Sequence, residues 1–257
     1  MSSGPDPLAT RLRRAGCVYA EEEAALLREA ASGAELEALV ARRVVGEPLE
    51  VLLGWAGFAG LRVAVAAGVF VPRRRSELLV ELGLDLLPDD PVVVELCCGT
   101  GAIAAAIRAR RPDAGVWAVD IDPDAVDVAR RNLPPARVLL GELYDPLPEG
   151  LRERVNLIVA NAPYVPTGEI AFMPAEAREH EHRVALDGGA DGHEVQARVA
   201  SGCRAWLAQA GRVVIETSER QASRTASLLQ EQGLATRIVH DTERDATAVV
   251  GAVVSVG

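Results

Sequence analysis

The chain has 257 residues, with 27 basic side chains, every one an arginine, against 37 acidic ones, so its formal net charge is −10. Having no lysine, it cannot do Schiff-base chemistry or form a P-loop, which both need a primary amine. The acidic total is also a poor footprint for gripping duplex nucleic acid. With 49% apolar and 25% charged residues, the composition is globular, and the length allows one large domain carrying a small appendage.

Residues 8 to 45 are rich in Ala, Leu, Glu and Arg at helical spacing, with breaks at Gly16 and Ser32-Gly33; this predicts two or three short helices. Gly46-Glu47-Pro48 stops them. From Phe58 to Pro72 the pattern alternates through Leu61, Val63, Val65, Val69 and Val71 about Ala66-Ala67-Gly68, which predicts a β-hairpin. Ser76 is placed to cap a helix running through Leu78, Leu79, Leu82 and Leu86. Strands then alternate with helices. Strands are expected at Val92–Leu96, Val116–Asp120, Arg137–Leu140, Val155–Ala160, Val213–Thr217, Ile238–His240 and Thr247–Val254. Helices are expected at Ala102–Arg111, Pro123–Asn132, Glu194–Ala208 and Gln221–Gln232. Such alternation means an α/β, doubly wound, mostly parallel seven-stranded Rossmann-like sheet. The expected division is a helical domain over 1–57, a hairpin linker over 58–75 and a catalytic domain over 76–257.

The four cysteines, Cys17, Cys97, Cys98 and Cys203, have no metal-ligand spacing. The first sixteen residues lack an apolar signal core, and no apolar stretch reaches membrane-spanning length. A soluble, cytoplasmic monomer without a metal or a membrane contact is the expectation. His180, Glu181 and His182 offer donor atoms on a polar loop, but no third partner stands at a diagnostic spacing. Trp55, Trp117 and Trp206 sit among apolar neighbours and read as core.

Ligands of doubly wound sheets bind beyond the carboxyl ends of the strands. The first of these strands runs into Glu95-Leu96-Cys97-Cys98-Gly99-Thr100-Gly101 and then directly into a helix, so two glycines bring free backbone amides close to a ligand. The second ends at Asp120, where a ribose diol would lie. Those features fit a dinucleotide or S-adenosylmethionine equally. Glu95 shifts the balance, since it would oppose a methionine ammonium but repel a pyrophosphate. Glu142 follows the third strand at adenine-binding depth. The fourth strand ends Asn161-Ala162-Pro163-Tyr164. Asn-x-Pro is commonly only a turn, yet this asparagine stands where the sheet delivers ligands.

Together these residues resemble the HemK/PrmC family, the protein-(glutamine-N5) methyltransferases that act on the GGQ glutamine of peptide-chain release factors. The resemblance covers nearly the whole chain. Arg42-Arg43-x-x-Gly46-Glu47-Pro48-Leu49, Leu53-Gly54 and Gly60-Leu61 resemble the family's inter-domain segment, and Val71-Pro72-Arg73-Arg74-Arg75-Ser76-Glu77 its Ile-Pro-Arg-Pro-Glu-Thr-Glu. Glu95–Ile103 resembles the cofactor loop, Asn161–Tyr164 the Asn-Pro-Pro-Tyr motif, and residues 185–192 the Ala-Leu-Asp-Gly-Gly-x-Asp-Gly motif. The resemblance implies that Glu95, Cys97, Cys98, Gly99, Thr100 and Gly101 hold the methionine part of S-adenosylmethionine. It places Asp120 with Ile121 at the ribose, and Glu142 with Leu143 at the adenine. Asn161 borders the cofactor and, with Ala162, Pro163 and Tyr164, holds the acceptor glutamine; Arg73 and Glu77 join the substrate side. The implied partner is a protein substrate, a release factor. The chain departs from the pattern at Ala162, in place of proline, and at Arg74 and Arg75, in place of proline and an acidic residue. His182 and His193 stand where Pro and Leu are usual. Amino-group methylation of adenine or cytosine, and a non-catalytic cofactor-binding paralogue, are the alternative functions.

Overall fold

The computed structural model describes residues 6–85 and 87–254. Four helices open the chain: α1 (Pro7–Arg14), α2 (Ala20–Ala30), α3 (Gly33–Val44) and α4 (Leu49–Leu53). The first three answer the predicted helical region; α4 is a short turn that Pro48 starts and Gly54 ends in the left-handed conformation. Their apolar faces close a small core of their own around Leu12, Leu27 and Val40. Buried Glu23 is held in it by Arg43, whose Nε donates at 2.6 Å.

The hairpin is real but earlier than predicted. β1 (Trp55–Phe58) pairs antiparallel with β2 (Leu61–Ala64). Its turn is Ala59-Gly60, both at positive φ, the geometry that matches the right-handed twist of paired strands. Residues 69–71, expected as its second strand, form no ladder; they begin an extended strap that leads to the sheet. The strap ends in a single 3-10 turn (Arg74–Ser76) before α5 (Glu77–Leu84). Ser76 precedes α5 but has helical dihedrals as the last residue of the 3-10 turn and makes no cap hydrogen bond; its hydroxyl accepts from Asn161 instead. Leu86 lies outside the described residues.

The remainder is a seven-stranded sheet of order β5-β4-β3-β6-β7-β9-β8. Its strands are β3 (Val92–Leu96), β4 (Gly115–Asp120), β5 (Val138–Leu140), β6 (Val155–Ala160), β7 (Leu207–Thr217), β8 (Leu234–Asp241) and β9 (Ala246–Val253). β3 to β7 run parallel, and β9 is antiparallel to both β7 and β8. The covering helices are α6 (Ala102–Arg110), α7 (Pro123–Asn132), α8 (Ala175–His180), α9 (Glu194–Cys203) and α10 (Ala222–Gln230). The central strands are apolar on both faces, as a sheet covered on both sides requires. Two cores result, one including Val93, Leu157 and Val214 and the other Val94, Ile158 and Ile215. The predicted helix to Ala208 stops five residues earlier, since Leu207 is drawn into β7 opposite Val155. Of the tryptophans only Trp206 is buried, stacked on Tyr144 at 6.0 Å; Trp55 and Trp117 are half-buried beneath Arg62 and Arg137.

Candidate active site

The order of the strands dictates the order of the site. Across the carboxyl edge of the sheet, the residues that follow β5, β4, β3, β6 and β7 stand side by side. They are Glu142, Asp120 to Asp122, Cys97 to Gly101, Asn161, and Glu216 near the end of β7. Strand order reverses between β3 and β6, the position where such sheets bind ligands. One cavity of about 810 Å³ follows this edge, within the size range of small-molecule sites. Glu95, Cys97, Cys98, Gly99, Thr100, Asp120, Ile121, Glu142, Leu143 and Asn161 to Tyr164 all line it. Gly101, Arg73 and Glu77 do not.

The loop after β3 turns sharply. Cys97, Gly99 and Gly101 all have positive φ. Gly101 has no room for a side chain, because a Cβ there would stand 2.8 Å from Leu133. Its place is in packing the loop onto α7 and away from the cavity. Glu95 is buried, and its Oε2 accepts from the Ala104 amide at 2.8 Å in the first turn of α6. Burial pushes its pKa up to about 8, against the pull of the helix amides. Burial likewise raises both neighbouring thiols far above the ordinary cysteine range; neither is a thiolate nucleophile.

Asp120 accepts from the Gly99 amide at 2.7 Å and from the Asp122 amide at 2.9 Å. The carboxylate therefore ties the β3 and β4 loops together while still facing the cavity. Its pKa is raised, burial outweighing those amides. Glu142 is paired with Arg198, whose hydrogen bond lowers its pKa. Leu143 adopts a positive φ of 48°. Asn132, at the end of α7, spans the hairpin and the cofactor loop, donating to Ala64 O at 3.0 Å and to Thr100 O at 2.8 Å.

At the other end of the cavity, Asn161 donates from Nδ2 to Ser76 Oγ at 3.2 Å. In this orientation Oδ1 is the acceptor it can offer to the cavity. Ala162 is fully buried. Tyr164 donates from Oη to Glu216 Oε1 at 3.4 Å, and burial, then Glu216, push its pKa up to about 12. The glycines of residues 185–192 have a steric reason. A Cβ at Gly188 would lie 2.8 Å from Pro163 O and Tyr164 Cα, and one at Gly192 2.4 Å from Tyr164 O. This loop clamps the Asn161–Tyr164 backbone, and Gln221 completes the clamp by donating to Tyr164 O at 2.9 Å.

The arginine run is not one patch. Arg73 pairs with buried Glu181, Arg74 with exposed Glu243, and Arg75 with buried Glu216 at 3.2 Å. Arg73 thus pins the strap to the loop that follows α8. Glu77 accepts from the Ala59 amide at 2.9 Å, so it supports the hairpin turn. Neither reaches the cavity. Glu181 is buried, and its Oε1 accepts from Arg73 and the Val71 amide; it forms no cluster with its histidine neighbours among the described residues. His182 instead meets Asp122 at 2.7 Å and Asp124 at 3.9 Å, partners that local spacing could not indicate.

Sequence reasoning missed the walls Phe70, Pro72 and Ser76 that the strap supplies, as well as Glu216 and Gln221. One signal was available. Glu216 is a lone acid at the carboxyl end of an apolar strand, the same placement that singled out Asp120.

The methyltransferase small domain family matches residues 61–180. The release factor glutamine methyltransferase of Geobacter sulfurreducens is 36% identical over 76% of this chain and 69% of its own. That of Mycolicibacterium smegmatis is 38% identical over 78% and 72%. Among solved structures, a methyltransferase from Pyrococcus furiosus superposes with a TM-score of 0.56 at 15% identity, over 82% of this chain and 96% of that one. It shares the fold.

Proposed function

The chain belongs to the release factor glutamine methyltransferase family, and from that premise we propose that it methylates the N5 amide nitrogen of a glutamine in a protein, the GGQ glutamine of a release factor. The observation that carries this reading is the placement of Asn161 at the reversal of strand order, oriented by Ser76 beside the Glu95–Gly101 loop.

S-adenosylmethionine is the cofactor, and when bound it supplies an electrophilic methyl group on a sulfonium. The donor set fits it. Glu95 would oppose the cationic ammonium, Asp120 with Ile121 would take the diol, and Glu142 with Leu143 would border the adenine. The cavity's cysteines, leucines and valines provide apolar surface between them. Lysine is absent and the carboxylates are spaced along the edge, a poor setting for a pyrophosphate.

An amide nitrogen is a weak nucleophile because its lone pair is delocalised. Asn161 Oδ1 and the Ala162 carbonyl take its two N–H groups and aim the lone pair out of the amide plane. Pro163 and Tyr164 wall the pocket and exclude water. Positioning of this kind is worth several orders of magnitude in rate. Ala162 keeps the carbonyl that the usual proline would present, and the Gly188 and Gly192 clamp holds the backbone that follows it.

Residues 1–57 are read as the recognition domain. Its helices share a core of their own and leave Val18 and Tyr19 exposed, while Ala56 already belongs to the core of the sheet. Among the described residues no helix is long and apolar enough to cross a membrane. The test offers labelled cofactor with a release factor, with a DNA duplex, and alone. Label on the GGQ glutamine supports the reading; label on DNA, or cofactor binding without transfer to any substrate, overturns it.

A further inference from the structure

Asn161 and the Ala162 carbonyl orient the acceptor nitrogen, but neither can keep the proton that nitrogen must lose. Both are neutral and very weakly basic. A different group stands beside them. Ala160 pairs with Ile215 in the sheet, so Asn161 and Glu216, each one residue further on, end neighbouring parallel strands. Above them the strap lays two consecutive residues, with Ser76 on Asn161 and Arg75 on Glu216. Glu216 thus belongs to the same constellation as the asparagine.

Its bonding leaves one oxygen open, as that of Glu181 also does, but only Glu216 touches a side chain of the Asn161–Tyr164 segment. The Glu216 side chain is 1% exposed. Oε1 accepts from Arg75 Nε at 3.2 Å and from Tyr164 Oη at 3.4 Å, whereas buried Oε2 has no hydrogen-bond partner among the described residues. An unsatisfied buried carboxylate oxygen is costly. Tyr164 and Arg75 both line the cavity, and Glu216 lies behind them. The groups facing the carboxylate are Arg75 from the strap and Tyr164 from the loop after β6, with Asp245 of the β8–β9 turn acting on Arg75. Gln196 donates only to the Glu216 main-chain oxygen.

We propose that Tyr164 and Glu216 form the exit for the proton released when the acceptor amide is methylated. The proposal rests on the reading of the chain as a glutamine N-methyltransferase. As the nitrogen forms its bond to the methyl carbon, the carbon–sulfur bond breaks and its electron pair goes to sulfur. The nitrogen then carries one proton in excess. That proton passes to Tyr164 Oη while the Tyr164 proton passes to the Glu216 carboxylate, leaving N-methylglutamine, a neutral thioether and a protonated Glu216. Tyr164 reaches Oε1, so the proton arrives there, and the remaining lone pair of that oxygen keeps the Arg75 contact. Tyr164 is the group that touches substrate; Glu216 acts through it.

The test is the pH profile of single-turnover methyl transfer to a release factor for wild type, Glu216→Gln and Tyr164→Phe. Tyr164→Phe leaves the Arg75–Glu216 pair in place, so it guards against misfolding of the Glu216 variant. Both variants are expected to bind S-adenosylmethionine within about threefold of wild type and to transfer at least about tenfold more slowly at pH 7. Their rates should climb between pH 7 and 9, where hydroxide replaces the lost acceptor, while the wild-type rate stays flat. Variant profiles parallel to wild type, whether scaled down or not, would show a purely structural role and overturn the proposal. Absence of methylglutamine with the wild type would overturn the functional reading and this one with it.

Discussion

Glu95 links cofactor affinity to pH in a way that can be calculated. Its carboxyl is buried with a pKa of about 8, so at pH 7 about nine in ten unliganded molecules carry the proton. A cationic ammonium opposite it requires the carboxylate, and binding therefore expels that proton. Each pH unit below 8 then costs about 1.4 kcal/mol, a tenfold loss of affinity. Isothermal titration in buffers of different ionisation enthalpy should count about 0.9 proton released per cofactor bound at pH 7. The affinity should weaken about tenfold from pH 7 to pH 6. Glu95→Gln keeps an acceptor for the Ala104 amide but should abolish both effects and bind more weakly at every pH. Stability must move the opposite way. The folded pKa lies above the ordinary 4.5, so the folded state holds a proton that the unfolded chain gives up. Stability from this group is fully present below about pH 4.5 and is lost as pH rises through 8. Melting of the unliganded wild type should thus decline from pH 5 to 8, and Glu95→Gln should flatten the decline. Zero proton release by the wild type, or equal release by Glu95→Gln, would refute the assignment.

The other predictions concern the acceptor end and its supports. Gly188→Ala places a methyl 2.8 Å from Pro163 O and Tyr164 Cα; steady-state kinetics should show a raised KM for the protein substrate with cofactor affinity within about threefold. Arg73→Ala strips buried Glu181 of its ion-pair partner and should cost roughly 2 kcal/mol in urea unfolding, less than a fully stranded charge because Glu181 can take up a proton. Its pKa is already raised by burial, so that loss should shrink toward pH 5. Asn132→Ala removes the amide that bridges Ala64 and Thr100 and should weaken cofactor binding about tenfold in a fluorescence or calorimetric titration.

Legibility followed the range of the interactions. β3 and β6 were readable because the short apolar runs Val92–Val94 and Leu157–Ala160 suit a strand covered on both faces, and α7 because Asp122-Pro123 starts a helix locally. The cofactor loop and Asn161 were readable because strand ends of a doubly wound sheet converge. The hairpin was misplaced because alternation gives the face of a strand but not the position of its turn, which Ala59-Gly60 set through positive φ. β7 was read too short because Leu207 takes its partner from Val155, fifty-two residues away. The resemblance puts Arg73 and Glu77 on the substrate side and marks Arg75 as a departure. Only the fold decides that Arg73 and Arg75 neutralise buried Glu181 and Glu216 while Glu77 supports a turn. Partners more than a hundred residues apart leave no local pattern.

The central claim is that Asn161 orients a glutamine amide for methylation. Its most direct test is mass spectrometry of a release factor after incubation with S-adenosylmethionine and either wild type or Asn161→Ala. The account requires a single added methyl group on the GGQ glutamine with wild type. With Asn161→Ala it requires none, although the variant still binds cofactor within about tenfold. An unmodified glutamine with wild type, or methylated glutamine at the wild-type rate with Asn161→Ala, would contradict it.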